Sequence, residues 1–571
     1  MTDGDSEIID VCTQAEHPAW THRLLPELAD FKTTSYQKIP SYDLHPYKMS
    51  VYSEGPNKSP TLKLKNSHDE EPTQLPLGAD TLSLYERKAL LVNREFDAMG
   101  LGRYQKVIWL LCGFGYLLDL MWAEAFGLVA GPNIFTAFSA GLTVGAFTWG
   151  LLVDIIGRKW AFNLTCLITS VFGLLLAAPT NYNGICVITA LCGFGLGGNI
   201  PIDATIVIEF LPQNRRWLLP LLSIFQPIGV VLTAVIAFGL VPKYRCDVTL
   251  PSCRTVAEGV ACCTRTSNLG WRYLMIVLGA ITLSVFIVRF AIFTFHESPK
   301  FLLARGRDAE AVEIVHRIAA FNRQPVPKLQ LSDFQEIDQE FGEDSDLNRR
   351  NGTTNSALDV LKQAFGRFKH LKGLFRTRLL GFTTVLLWIV YMGDFWSFNL
   401  AGSFLPIILA RRGQTAGQSV TETYRQYIYI YLPGILGTIL AAAAVELPGI
   451  GRKWSLVFGA LVQGVSMAMY TQVTTIKASV GLNALEYIMQ SFFNAVLYGF
   501  TPEVFEAPYR GSAAGLCSTF GRLAGIVAPI AARPFIDGNS NGVLWLACGG
   551  IFVSAFFLVF LPIETRHRAS Y

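Results

Sequence analysis

At 571 residues, with 51% apolar residues, only 16% charged ones and a mean hydropathy of +0.36, the chain is too apolar for a water-soluble protein of its size. Its net charge of +4 is small, and the basic residues sit at the ends of apolar runs, which argues against nucleic-acid binding. All eight histidines lie outside those runs and no His-Glu-x-x-His or nucleotide loop occurs, so no metal or cofactor is expected and an enzyme is disfavoured.

Residues 1–95 read as a cytosolic tail, mixing Pro, Ser, Lys and Asp without periodicity over the first 83. No apolar stretch with a cleavage site begins the chain, so insertion is expected to start with the first spanning helix. Residues 96–295 form a first six-helix bundle, with spans over Tyr104–Ala130, Ile134–Val153, Trp160–Pro179, Ile185–Glu209, Leu218–Leu240 and Trp271–Phe295. At about 1.5 Å per residue each run is long enough to cross a hydrocarbon core as a helix.

Between the fifth and sixth spans, Cys246, Cys253, Cys262 and Cys263 share one exposed loop. Disulfides are the favoured reading there; a zinc site is the alternative, against which stands the lack of a histidine in the loop. Residues 296–377 form a cytosolic linker in which Ser298-Pro299 opens a short helix that Gly306 interrupts. Ala309–Phe321 and Ala357–Phe368 carry apolar spacing on one face. A second bundle fills 378–561, with spans over Leu379–Leu409, Tyr427–Val445, Trp454–Val473, Leu482–Phe500, Ser512–Arg533 and Val543–Leu561, and 562–571 is a short cytosolic tail. The short turns on one side hold Arg158, Lys159, Arg215, Arg216, Arg452, Lys453 and Arg510, those on the other only Lys477 and Arg533, so both termini are expected in the cytosol.

The chain is organised around one polar island, Gly150-Leu-Leu-Val-Asp154-Ile-Ile-Gly157-Arg158-Lys159-Trp160, read as a tight turn between the second and third spans. Asp154 ends a helix, where the backbone dipole disfavours a carboxylate, so it needs another helix's N-terminus or a basic side chain. Ile156-Gly-Arg-Lys-Trp160 returns unchanged as Ile450-Gly451-Arg452-Lys453-Trp454, and at the same offset Glu209 and Arg216 return as Glu503 and Arg510. Two halves built on one plan, with these residues as a gating motif at one end, is the signature of a secondary transporter.

Charges inside the membrane are costly and are the best candidates for a substrate or proton cavity. Asp119 and Asp394 lie mid-span in helices one and seven and end related patterns, Tyr116-Leu-Leu-Asp119 and Tyr391-Met-Gly-Asp394. Arg522, deep in helix eleven, is read as binding an anionic substrate, neutralising an acid such as Asp394, or reaching toward the cytosol. Asp203, Glu486, Gln226, Trp122 and Trp396 complete the candidate cavity. Glu124, Glu209 and Arg289 lie nearer helix ends, where an interfacial role suffices. Pro201 is expected to bend helix four, and the run Gly193-Phe-Gly-Leu-Gly-Gly198 to serve close helix packing.

At Gly150, Asp154, Gly157, Arg158 and Lys159, and at the second copy Ile450–Trp454, the sequence resembles the major facilitator superfamily. Phe96-x-x-Met99-Gly-x-Gly-x-Tyr-Gln105, Glu209-Phe-Leu-Pro, Glu297-Ser-Pro-Lys300 and Ile563-Glu-Thr-Arg566 resemble its sugar-porter and organic-ion branch, nearest to synaptic-vesicle-two-related and niacin-type transporters. The resemblance implies an all-α membrane protein of twelve helices in two pseudo-symmetric bundles around a midplane site, alternately open to each side. It also implies a test of proton coupling. Asp119 fits that branch's helix-one carboxylate, but Thr189 stands where its helix-four arginine belongs, and the helix-seven Gln-Gln sugar signature is absent. The expected activity is secondary transport of a small organic molecule with protons; a uniporter, an efflux pump and a transport-inactive sensor are the rivals. A monomer in the plasma membrane is the default.

Overall fold

The structure is a computed structural model that describes residues 63–64, 73–74 and 83–565, the last without 130–131, 180, 247–249, 251–252, 254–260, 265–266, 341–371, 416–419, 474 and 537–539. The expected helix over residues 357–368 and most of the expected tail lie outside them. The described fold is helical except for a two-residue antiparallel pairing of Lys63–Leu64 with Thr73–Gln74.

Helix α1 (Leu84–Met99) precedes the first span and begins inside the stretch read as tail. Ser83 and Glu86 close a capping box on it, and it buries Val92 and Phe96 while Lys88 pairs with Asp308 and Asp338. The first bundle then runs α2 (Arg103–Val129), α3 (Pro132–Ile156), α4 (Arg158–Leu175), α5 (Tyr182–Leu196) with α6 (Asn199–Phe210), α7 (Leu218–Leu221) with α8 (Phe225–Leu240), and α9 (Gly270–Ile287). The linker holds α10 (Pro299–Leu303), α11 (Asp308–Asn322) and α12 (Leu331–Glu340). The second bundle is α13 (Arg378–Thr415), α14 (Val420–Tyr431) with α15 (Gly434–Ala444), α16 (Gly451–Tyr470), α17 (Ile476–Val504), α18 (Ala507–Ile536) and α19 (Ser540–Val559). Counting the paired segments as single spans gives twelve.

Among the described residues, nine spans are long and apolar enough to cross a membrane on composition alone. The remaining three, α4, α16 and α17, start on Arg158-Lys159 and Gly451-Arg-Lys453 or carry Glu486, Gln490 and Asn494 along one side, which lowers their hydropathy. The polar island is a tight turn, as its sequence suggests. Helix α3 continues to Ile156 and α4 starts at Arg158, so the reversal is Gly157 alone, whose φ of 97° an L side chain rarely adopts. Span four breaks at Gly197-Gly198, four residues ahead of Pro201, whose missing N–H leaves the Gly197 carbonyl without its helical donor. The neighbouring glycines serve close packing: a Cβ on Gly197 would lie 2.3 Å from the Leu142 carbonyl oxygen in α3.

The two bundles meet along α3 with α18 and along α8 with α14. At the first seam Gly150 and Gly515 face each other so closely that a Cβ on Gly150 would lie 2.6 Å from the Gly515 Cα. In the loop after span five the disulfides are Cys246–Cys263 and Cys253–Cys262.

Candidate functional site

The end of the bundles that carries Gly157 and Gly451, the motif end, is built twice. Arg158 forks onto Glu209 at 3.2 and 3.0 Å, and Arg452 onto Glu503 at 3.1 and 3.2 Å. The N-termini of α4 and α16 are each closed by a carboxylate from the chain beyond the sixth or twelfth span. Glu297 accepts from the backbone N–H groups of Arg158 and Lys159 at 2.9 and 3.3 Å, and Glu564 from those of Arg452 and Lys453 at 3.1 Å each. Burial nevertheless raises the Glu297 carboxyl above the usual range, against the pull of Arg158 and these N–H groups.

Across the seam the two copies exchange partners. Arg510 of the second bundle reaches Glu209 of the first at 3.7 Å, while Arg216 of the first stands beside Glu503 of the second. Asp154 binds both the partners its position requires. Arg158 pairs with it at 3.3 Å, and Ser512, near the start of α18, donates its backbone N–H at 2.8 Å and its hydroxyl at 2.7 Å. Arg158 also donates to the Ala507 carbonyl at 2.9 Å. The second copy has Pro448 where the repeat would place Asp154, so this latch exists once. Glu209, assigned an interfacial role from sequence, is thus fully buried at the junction of the two halves. Lys300, on α10, is buried against the same junction. Burial, with Arg510 and Arg216 adding repulsion, pushes its ammonium down to about 7, while Glu209 and Asp97 oppose.

Midway along the bundles lies a cavity of about 600 Å³ lined by Asp119, Gln226, Asp394, Asn494, Tyr498 and Arg522 among apolar neighbours. Asp119 of α2 and Arg522 of α18 approach to 3.6 Å across it, an ion pair that joins the two bundles. Of the readings open for Arg522, the structure shows it beside an acid, and that acid is Asp119 where Asp394 was the example named. Asp394 instead accepts from the Gln490 amide at 2.9 Å. Gln463 donates in turn to Gln490 and, at 3.4 Å, to Glu486. Tyr498 lines the cavity, whereas the candidates Tyr116 and Tyr391 lie behind it and outside the lining, 6.4 and 6.1 Å from its ring, Tyr391 sharing a hydrogen bond of 2.9 Å with Thr501.

Three candidates face elsewhere. Trp122 is fully buried between Phe126 and Gly173 and donates to the Thr282 hydroxyl at 3.0 Å, on the side of α2 turned away from the cavity. Trp396 donates to the Leu546 carbonyl at 3.1 Å and packs on Gly550 in α19. Asp203 pairs with Arg289 at 3.1 Å inside the first bundle, where Arg289 also donates to the Leu111 and Phe162 carbonyls and stacks on Phe162. Arg289 is accordingly an internal brace and not an interfacial residue. Sequence reasoning passed over Gln490, Asn494 and Tyr498. With Glu486 they recur every fourth residue along α17, a polar stripe on one helical face that was available as a signal.

The profile of the sugar (and other) transporter family matches residues 129–570. The chain belongs to that family of the major facilitator superfamily. It is a multi-pass membrane transporter and not an enzyme. The MFS siderochrome iron transporter 1 of Ceriporiopsis subvermispora is 34% identical over 499 residues, 85% of this chain and 92% of that protein. The niacin transporter NiaP of Acinetobacter baylyi is 28% identical over 68% of this chain and 75% of its own length. Among solved structures, the partially occluded inward-open xylose transporter XylE from E. coli shares the fold with a TM-score of 0.57 at 16% identity, over 81% of this chain and 99% of XylE.

Proposed function

We propose that this transporter carries a small organic acid together with a proton by alternating access, and that its motif end faces the cytosol. The observation that carries the reading is the Asp119–Arg522 ion pair at the centre of the cavity, held by one residue from each bundle. A carboxylate cargo that binds the guanidinium competes with Asp119 for its positive charge. An aspartate stripped of its counter-charge in a low-dielectric cavity is stabilised by taking up a proton, so anion and proton load together. Coupling by this route does not need the helix-four arginine that Thr189 replaces, which answers the main argument for a uniporter. The few convergent polar groups among apolar walls, Asp119, Gln226, Asp394 and Arg522, are the lining of a small-molecule site. The niacin in the name of the NiaP relative is a small organic acid. Support for the orientation comes from the basic residues at the motif end. The plasma membrane and a monomeric state remain the working assignment.

The test uses purified protein in liposomes loaded with a pH-sensitive dye, screened with small organic acids, amines and sugars. An acid-evoked proton influx that disappears in Asp119→Asn, with exchange of cargo for cargo retained, is the expected result. Acid uptake without proton movement, unchanged in Asp119→Asn, would identify a uniporter.

A further inference from the structure

The midplane cavity continues into a second lobe of about 650 Å³, with which it shares Leu120, Ala123, Phe135, Phe398 and Asn399. The two lobes differ in chemistry. The first holds the only guanidinium among the described lining residues; the second holds Glu124 and Glu486 between the rings of Phe135, Phe398, Tyr431 and Tyr487. Tyr431 and Tyr487 meet edge to face at 4.8 Å, and Tyr427 and Tyr424 extend the aromatic wall along α14.

Among the described residues no cation pairs with Glu124 or Glu486. The Tyr431 hydroxyl donates to the Glu124 carboxylate, whose Oε1 is buried without a partner, and Glu486, 8% exposed, receives one long bond from Gln463. A buried carboxylate with neutral hydrogen-bond donors but no counter-charge is costly, and that cost is relieved by a ligand that brings positive charge. Aromatic walls select among cations: ring faces attract a weakly hydrated alkylated nitrogen. No group of three His, Cys, Asp or Glu residues suited to a metal ion occurs among the described residues. Glu124 lies five residues beyond Asp119 on α2, about 7.5 Å along the helix axis, the separation of opposite charges within one small molecule.

We propose that the second lobe is a subsite for a positively charged nitrogen, held by Glu124 and Glu486 against Tyr431 and Tyr487, so that the cargo is a zwitterion whose carboxylate meets Arg522. The cargo assignment rests on the reading of Arg522 as the anion site; the subsite itself stands on the second lobe alone.

The decisive comparison is between two ligands of one shape that differ by a single charge, 4-(trimethylammonio)benzoate and 4-tert-butylbenzoate, titrated calorimetrically against the purified full chain and tested for uptake in liposomes. The zwitterion should bind about tenfold more tightly than its carbon isostere, the preference a cation among aromatic rings and a carboxylate would give. In Glu124→Gln and in Glu486→Gln that ratio should fall toward one. Equal affinity for the two ligands in the wild type, or a ratio that both variants leave intact, overturns the subsite. Should the isostere bind and be carried without any preference for the zwitterion, the subsite falls and the acid-transport reading stands. If instead phenyltrimethylammonium alone binds, losing affinity in Glu124→Gln and keeping it in Arg522→Gln, the subsite stands and the acid reading falls. Binding of none of the three overturns both.

Discussion

Asp154→Asn isolates the latch that holds the motif end shut. The carboxylate accepts two hydrogen bonds from Ser512 on the opposite bundle, at 2.8 and 2.7 Å, and is 6% exposed. Hydrogen bonds to a charged group contribute about 1.5–3 kcal/mol each. An asparagine retains one acceptor and one neutral bond, so the substitution should cost the closed state about 2 kcal/mol. That is a factor of about 30 in the ratio of closed to open motif end. Arg158 keeps its fork on Glu209, so the first bundle's own scaffold survives the change. Ser512→Ala removes only the hydroxyl bond and should shift the same ratio about twelvefold, for about 1.5 kcal/mol. The assay is pulsed dipolar EPR between labels introduced through a non-canonical amino acid at Trp160 and Trp454, the two exposed repeat-related positions that follow the basic pairs. Both variants should broaden the distance distribution toward longer values, Asp154→Asn more than Ser512→Ala. An unchanged distribution in Asp154→Asn would show that the remaining cross-seam contacts suffice. Equal shifts in both would show that the charge adds nothing to the latch.

Two further outcomes follow from the packing. Lys300 is held near 7 in the fold against about 10.5 in a free side chain, so between those values the unfolded chain binds the extra proton and stability must rise with pH. Below about pH 7 the term is flat. Melting in detergent should therefore move upward from about pH 7 to about pH 9, and Lys300→Met should remove that slope. Trp122→Phe should lower the melting temperature by the equivalent of about 1 kcal/mol, through the lost bond to Thr282, and leave KM for the cargo unchanged. A raised KM would put Trp122 back among the cargo contacts.

The twelve spans, the duplicated motif and the need of Asp154 for a partner were legible because each rests on local chemistry: run length, repetition, and a carboxylate at the wrong end of a helix. Helix phase was less accessible. Trp122 and Glu124 are two residues apart on α2, and at about 100° per residue they leave the helix on opposite sides. Trp122 was taken for the cavity and Glu124 for the interface; the structure reverses them. In a span that packs on neighbours all round, apolar periodicity does not say which stripe faces the path, because lipid-facing, helix-facing and cavity-facing positions can all be apolar.

Polar spacing says more. The stripe Glu486, Gln490, Asn494, Tyr498 exists only because one face of α17 looks into the cavity, and reading it would have fixed that helix's phase without coordinates. Partner choice is the deeper limit. Arg522 had two acids within plausible reach, Asp119 and Asp394, on helices that approach the same midplane from opposite bundles. Which one it meets depends on how α18 lies against α3, a seam that at Gly150 and Gly515, two turns from Arg522 along α18, is too close for a Cβ. A bulky residue at either glycine is expected to push this seam apart, and a lengthened Asp119–Arg522 pair alongside it would show that the two are coupled.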